Sequence, residues 1–215
     1  MILVCGGIKG GTGKTTLATN MAIMRSADGK DVLLVDADDQ GTASDFTSIR
    51  NEAGHTGYTS IKLHGSSVRS ELLKMKDKYD DIVIDVGGRD TAGQRAALSI
   101  ADVYVVPFAP GSFDIWTLES VGQLVEEAKA FNEKLQSFCH INRADSRGSD
   151  NADAASIALE IPGLTYIDAL MGNRKAFRTA ASQGRSVVEL KGRDRDEKAI
   201  SEVMKLYKYL FCDII

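Results

Sequence analysis

Eight residues near the start of the chain have the types and spacing that phosphate chemistry requires. Lys9-Gly10-Gly11-Thr12-Gly13-Lys14-Thr15-Thr16 follow the apolar run MILVCGGI. Glycines let the backbone curl until several N–H groups point inward, and a helix starting at Lys14 adds the positive end of its dipole. Such a cradle suits the phosphate tail of a nucleotide, with Gly10, Gly11, Thr12, Gly13 and Thr16 forming its walls. Lys14 would reach the β- and γ-phosphates, and the Thr15 hydroxyl would ligate Mg²⁺. Carboxylates stand at two later strand ends. Asp36 and Asp38 close the run VLLVDAD, and Asp85 closes DIVIDV before Gly87-Gly88. An aspartate ending an apolar strand is the group that holds Mg²⁺ in phosphate-loop enzymes, and two glycines leave the next turn free to move with a γ-phosphate.

These groups need a scaffold that brings strand ends together, and the patterning predicts one. Helices are expected over Lys14–Ala27 (C-capped by Gly29), Ala43–Arg50, Ser66–Lys78 with a serine cap, and Thr91–Ile100. More follow over Ile115–Phe131, Asp150–Leu159, Arg174–Gln183 and Arg195–Phe211. Continuous apolar runs at Val32–Val35, Asp81–Val86, Val103–Pro107 and Leu135–Ile141 read as strands covered on both faces. Leu164–Ile167 is a further short strand, and Tyr58–Leu63 an edge strand. Strand–helix alternation means right-handed crossovers and an α/β fold: a doubly wound, mostly parallel sheet with helices on both faces. Ligands bind beyond the carboxyl ends of such strands. Four polar segments fall there: Gly6–Thr15, Asp36–Gln40, Asp85–Arg89 and Asn142–Asp145.

The chain of 215 residues suits one α/β domain, or at most two small ones, and a substantial core. No apolar stretch approaches the roughly 20 residues of a membrane span. The first residues read as a core strand and not as a signal peptide. Three widely spaced cysteines, Cys5, Cys139 and Cys212, read as reduced thiols, and no Cys/His spacing suggests zinc. His140 lies inside a strand and reads as a core histidine with a partner. Trp116 reads as a core or interface anchor. A net charge of −4 argues against a uniformly basic nucleic-acid binder without excluding a local basic patch.

Position 8, where a plain phosphate loop has its first glycine, is Ile8, and Lys9 stands beside it. This K-G-G-x-G-K-T form resembles the deviant phosphate loop of the ParA/MinD family of dimerising ATPases. In that family the extra lysine crosses a dimer interface to the partner's nucleotide, and the resemblance implies that role for Lys9. It extends to Asp36-Ala37-Asp38-Asp39-Gln40, usually D-x-D-P-Q. Asp38 lies 24 positions after Lys14, as does the family's water-orienting aspartate. The resemblance thus gives Asp38 a catalytic role and Asp36 a supporting one. Asp39 departs from the family's proline, losing a fixed φ and adding a negative charge. Asn142-Arg143-Ala144-Asp145 is similar to a guanine-reading N-K-x-D. The family instead implies Asn142 on adenine with Arg143 nearby; Asn142 as a plain strand-end turn residue stays open. Pro110 and Asp114 match the family segment flanking the nucleotide. Arg89 and Asp90 either couple the switch to the dimer face or pair with each other.

Residues 174–198 hold eight basic against four acidic side chains in a chain that is acidic overall. Arg174, Lys175 and Arg178 would share a helical face, with Arg185 close behind. The segment looks like the C-terminal region of ParA-type partition ATPases, whose basic residues bind DNA without base readout; a solvated charged face is the alternative. The resemblance implies a small single-domain ParA-type ATPase over 1–215, without a separate N-terminal DNA-reading domain. It further implies ATP and Mg²⁺ as cofactors, an ATP-dependent homodimer, and non-specific double-stranded DNA as a ligand. A ParB-like or small centromere-binding partner would act in plasmid or DNA segregation, at a cytoplasmic, nucleoid-associated location. The competing readings are a MinD-like positioner on membrane or a non-DNA cargo, and a metabolic phosphate-loop enzyme. For the membrane form, the apolar stripe Ile200, Val203, Met204, Tyr207, Leu210, Phe211 and Ile214 would be a foot; Glu197, Glu202 and Asp213 dilute its charge, and no membrane is expected.

Overall fold

The apolar runs form the middle of one sheet. β1 (Ile2–Cys5), β2 (Val32–Ala37), β4 (Asp81–Val86) and β5 (Val103–Phe108) are buried along their whole length. Such strands need no alternation of polar and apolar residues, because helices cover both faces. The structure is a computed structural model; it describes residues 1–147 and 149–213, and of residues 112–115 and 213 the backbone alone. β3 (Thr59–Lys62), β6 (Gln136–Ala144), β7 (Thr165–Tyr166) and β8 (Met171–Gly172) complete a sheet ordered β3-β2-β4-β1-β5-β6-β7, with β8 also beside β6. Every pairing is parallel.

One face is covered by α3 (Ser67–Met75), α4 (Ala92–Leu98), α5 (Ser112–Lys129) and α6 (Asp150–Ala158), through Leu72, Leu98, Val125 and Ala158. The other is covered by α1 (Lys14–Ala27), α7 (Lys175–Ser182) and α8 (Glu197–Lys208), through Met21, Phe177 and Leu206. α2 (Thr42–Glu52) lies beyond β2 and buries Phe46. Arg25 pins α1 to the sheet with an ion pair to buried Asp81 at 2.6 Å.

α1 and β4 have the predicted bounds, and β3 is an edge strand as predicted. Differences occur where caps decide. Ser66 makes no side-chain cap; the Ser67 hydroxyl instead donates to the His64 carbonyl at 2.6 Å, so α3 is shorter than expected. Asp196 caps α8 by accepting from the Lys198 and Ala199 N–H groups, which sets its start after Arg195. β8 and the tight turns Val187–Glu189 and Gly192–Asp194 are too short to leave a periodic signal. Most of the apolar stripe predicted for the last helix is spent on the core: Val203, Tyr207, Leu210 and Phe211 are buried, Ile200 and Met204 are half-buried, and Ile214 lies outside the described residues. Among the described residues no helix is long and apolar enough to cross a membrane. His140 is fully buried with Nδ1 against the Ala169 carbonyl at 3.3 Å, and burial lowers its pKa to about 4. Trp116 is 65% exposed, so it is not a core residue. Cys5 and Cys139 are buried free thiols, and Cys212 is an exposed one.

Candidate nucleotide site

The carboxyl ends of β1, β2, β4 and β6 meet around an open cleft of about 920 Å³. The loop after β1 is shaped by residues only glycine tolerates. Gly13 has φ 102°, and a Cβ there would lie 2.0 Å from Asn142 Nδ2. Lys14 closes the cradle from inside, its Nζ donating to the Lys9 carbonyl at 2.8 Å. Burial lowers the Lys14 pKa, and the nearby Asp85 and Asp38 carboxylates oppose that shift.

Each predicted carboxylate has a distinct setting. Asp36 is fully buried; its Oδ2 accepts from the Ser44 N–H at 2.8 Å and the Ser44 hydroxyl at 2.6 Å, and its Oδ1 from the Asp38 N–H at 3.2 Å. It therefore organises the turn between β2 and α2. Asp38 lines the cleft and accepts from the Gln40 N–H at 3.1 Å. Asp39 also lines the cleft and meets His64 Nδ1 at 3.2 Å. Asp85 is buried with neither oxygen hydrogen-bonded among the described residues. Burial is the largest cause lifting its pKa to about 7; the Thr15 hydroxyl and Lys14 pull it down, and Asp36 and Asp38 push it up. A buried carboxylate without a donor is costly, and a cation beside it would remove the cost. Thr15 and Asp85 offer the hard oxygens that suit Mg²⁺, so the residues present fit that ion.

The loop after β4 packs on the phosphate loop, main chain against main chain. A Cβ at Gly88 would come within 2.7 Å of Gly10 Cα and N. Gly88 and the cradle are thus in direct contact, with no room for a side chain between them. Asp90 pairs with Arg95 at 2.6 Å rather than with Arg89, which lines the cleft.

Asn142 differs from its expected place beyond a strand end. β6 runs on to Ala144, so Asn142 is buried within it. Its Nδ2 donates to the Thr12 carbonyl at 2.6 Å and its Oδ1 accepts from the Arg143 N–H at 2.9 Å. In this structure the side chain ties β6 to the phosphate loop. Arg143 itself sits on the cleft wall at φ 54°, the one non-glycine residue with positive φ among the described residues. Asn142→Ala is expected to lower stability by about 1–3 kcal/mol, because the buried Thr12 carbonyl loses its donor. Urea unfolding of the nucleotide-free protein checks this; an unchanged midpoint would mean that the tie carries no load.

The four basic candidates separate. Arg174 is not on the helical face; it precedes α7 and is held by Glu202 of α8 at 2.5 and 2.8 Å. Arg185 donates to His55 Nε2 at 2.9 Å. Lys175 and Arg178 are exposed on α7. Pro110 is buried before α5, and the Asp114 side chain lies outside the described residues. Sequence reading missed Ser44, whose signal was a hydroxyl in the first turn of the helix after Asp36–Gln40. It also missed Asn20, which accepts from the Ser186 hydroxyl at 2.7 Å and the Val187 N–H at 3.0 Å.

A parallel sheet with this loop, Thr15 and Asp85 at its carboxyl edge defines a phosphate-loop nucleotide-binding protein. Residues 2–187 match the CobQ/CobB/MinD/ParA nucleotide binding domain, and the chain belongs to that family. It is 31% identical over 191 residues to a maintenance of carboxysome distribution protein A of Gloeobacter kilaueensis, covering 88% of this chain and 84% of that one. The protein of the same description from Halothiobacillus neapolitanus is 26% identical over 194 residues, 90% of this chain and 89% of that one. Among solved structures, apo McdA from Cyanothece superposes with a TM-score of 0.76 at 20% identity, over 95% of this chain and 98% of that one; that likeness speaks to fold alone.

Proposed function

We propose that this protein is an ATP-hydrolysing positioning ATPase that dimerises on ATP and Mg²⁺, binds DNA without sequence preference, and is stimulated by a partner protein on its cargo. The observation that carries this reading is Lys9, a second lysine in the phosphate loop that is not among the walls of its own cleft. In the proposed cycle Lys14 holds the β- and γ-phosphates and Thr15 and Asp85 hold Mg²⁺, which would neutralise charge on the phosphate oxygens. Asp38 orients the attacking water, and Lys9 of the second subunit reaches the developing charge. Arg143, on the cleft wall, flanks the base, and Asn142 braces that wall against the phosphate loop.

The cleft is tied to the basic segment by two routes. Ser44 of α2 grips Asp36, and Arg50 at the far end of α2 holds Glu189 and the Gly184 carbonyl, each at 2.9 Å. Asn20 joins α1 to Ser186. Both routes end beside Arg185, which supports DNA binding that follows the nucleotide. Lys175 and Arg178 are the freest candidates for phosphate contacts. The relatives named for carboxysome distribution favour a non-DNA cargo over a plasmid, and either cargo fits the proposed cycle.

A duplex-DNA mobility shift tests the reading. ATP is expected to produce a shift that ADP does not. Lys175→Ala with Arg178→Ala should weaken it and lower the salt slope by roughly 2, one per lost phosphate contact. Equal binding with ATP, ADP and the double variant would sink the DNA arm of the proposal.

A further inference from the structure

On the sheet face opposite α7, α5 and the end of α6 enclose an open groove of about 650 Å³. Its floor is apolar, with Ile157, Ile161 and Pro162, and its rim carries Glu119, Glu126 and Glu160. The groove is built into the backbone. A Cβ at Gly122 would lie 2.5 Å from the Pro162 carbonyl oxygen, so α5 and the turn after α6 touch main chain to main chain. Among the described residues the Glu119 and Glu160 carboxylates make no hydrogen bond or ion pair, and Leu159 beside them is 68% exposed. A chain of net −4 that concentrates +4 in residues 174–198 carries −8 elsewhere.

We infer that this groove docks a basic amphipathic segment of a partner protein, lysines and arginines alternating with leucine-like side chains. The inference rests on the partner-driven cycle proposed above and names the surface the partner would use. Carboxylates on the rim repel DNA and anionic lipid and attract cations, while the isoleucine floor supplies burial that a purely polar site lacks. Its place on the opposite face lets the protein hold DNA and partner at once. Glu127, one residue past Glu126, also pairs with Arg95 at 2.7 Å, and Arg95 holds Asp90 of the Gly87-Gly88 loop. A cation docked here thus lies two ion pairs, Glu127–Arg95 and Arg95–Asp90, from the loop that packs on the cradle.

The probe is a fluorescein-labelled synthetic helix of lysine, arginine and leucine, compared with a scrambled peptide of the same composition. Anisotropy is read with ATP and Mg²⁺ present. The ordered peptide is expected to bind more tightly than the scrambled one. Glu119→Lys with Glu160→Lys should weaken it about tenfold or more. Glu52→Lys with Asp77→Lys, an equal charge change on remote exposed sites, should leave it within about twofold. Ile157→Ser should weaken it without any change in charge. Equal weakening by both charge-reversed pairs, or no preference for the ordered peptide, would overturn the inference. So would concentration-dependent self-association that the groove variant abolishes, since the occupant would then be the basic segment of a second copy. A mobility shift on the same proteins separates the two proposals. Peptide binding without ATP-dependent DNA binding would refute the DNA arm alone; the reverse would refute the groove alone.

Discussion

Lys9→Ala is expected to lower ATP turnover by roughly 10³-fold, the low end of what a cation supplied in trans contributes to phosphoryl transfer, while nucleotide binding by the single chain stays within a few-fold of wild type. The geometry behind this is a division of labour between two lysines. Lys14 is buried, in the cradle, with its Nζ on the Lys9 carbonyl. Lys9 is half-buried where the loop leaves the strand, its carbonyl carbon near the space a Gly88 side chain would need, and it is not among the residues that line its own cleft. A cation so placed adds little to binding within one subunit and much to a second subunit brought against the same edge. Three measurements separate the roles. Lys14→Ala should lose nucleotide affinity itself. Lys9→Ala should keep affinity but fail to sediment as a dimer with a non-hydrolysable ATP analogue. Wild-type turnover in Lys9→Ala, at any concentration of partner, would remove the trans-lysine role.

The scaffold was legible because it rests on signals longer than one turn. Runs such as VLLVDA and DIVIDV can only be strands buried on both faces, and the glycine-rich loop between a strand and a helix fixes which sheet edge holds the site. The convergence of Lys14, Asp38 and Asp85 follows from that alone. What stayed hidden was chemistry set by single contacts. Asn142 reads as a base contact because of its sequence neighbours, yet one more turn of β6 pairing buries it against Thr12. Arg174 and Lys175 are adjacent in a basic stretch, but Glu202, nearly thirty positions on, claims one and leaves the other exposed. Asp39 replaces a proline that would have stiffened its turn; the structure gives it His64 as a neighbour, a contact between separate elements that no local pattern encodes.

Asp85→Asn should flatten the pH dependence of stability in the nucleotide-free protein. Unfolded, the carboxyl has its ordinary pKa of 3.8; folded, burial raises it to about 7. Between those values the folded state holds a proton that the unfolded state has released. Stability therefore falls as pH rises through this window, is unaffected below it, and carries the full penalty above it. A tenfold change in proton affinity is about 1.4 kcal/mol, so the penalty above pH 7 is on the order of 4 kcal/mol. The Thr15 hydroxyl and Lys14 already offset part of it. An amide has no charged form to desolvate, so the variant should match wild type near pH 4 and exceed it at pH 8, by urea unfolding without Mg²⁺. The same change should cost the protein its response to the ion. Mg²⁺ with ADP should stabilise wild type most at pH 8, where the carboxylate is charged, and should add little to Asp85→Asn beyond what ADP gives alone. A wild-type stability that is flat from pH 4 to 8, or a variant that keeps its full Mg²⁺ response, would show that Asp85 is neither strained by burial nor relieved by the cation. If nucleotide and metal relieve this cost at the end of β4, the Gly87-Gly88 loop has a reason to differ between the empty and the loaded protein. That loop lies against Gly10, beside the lysine proposed to face a second subunit.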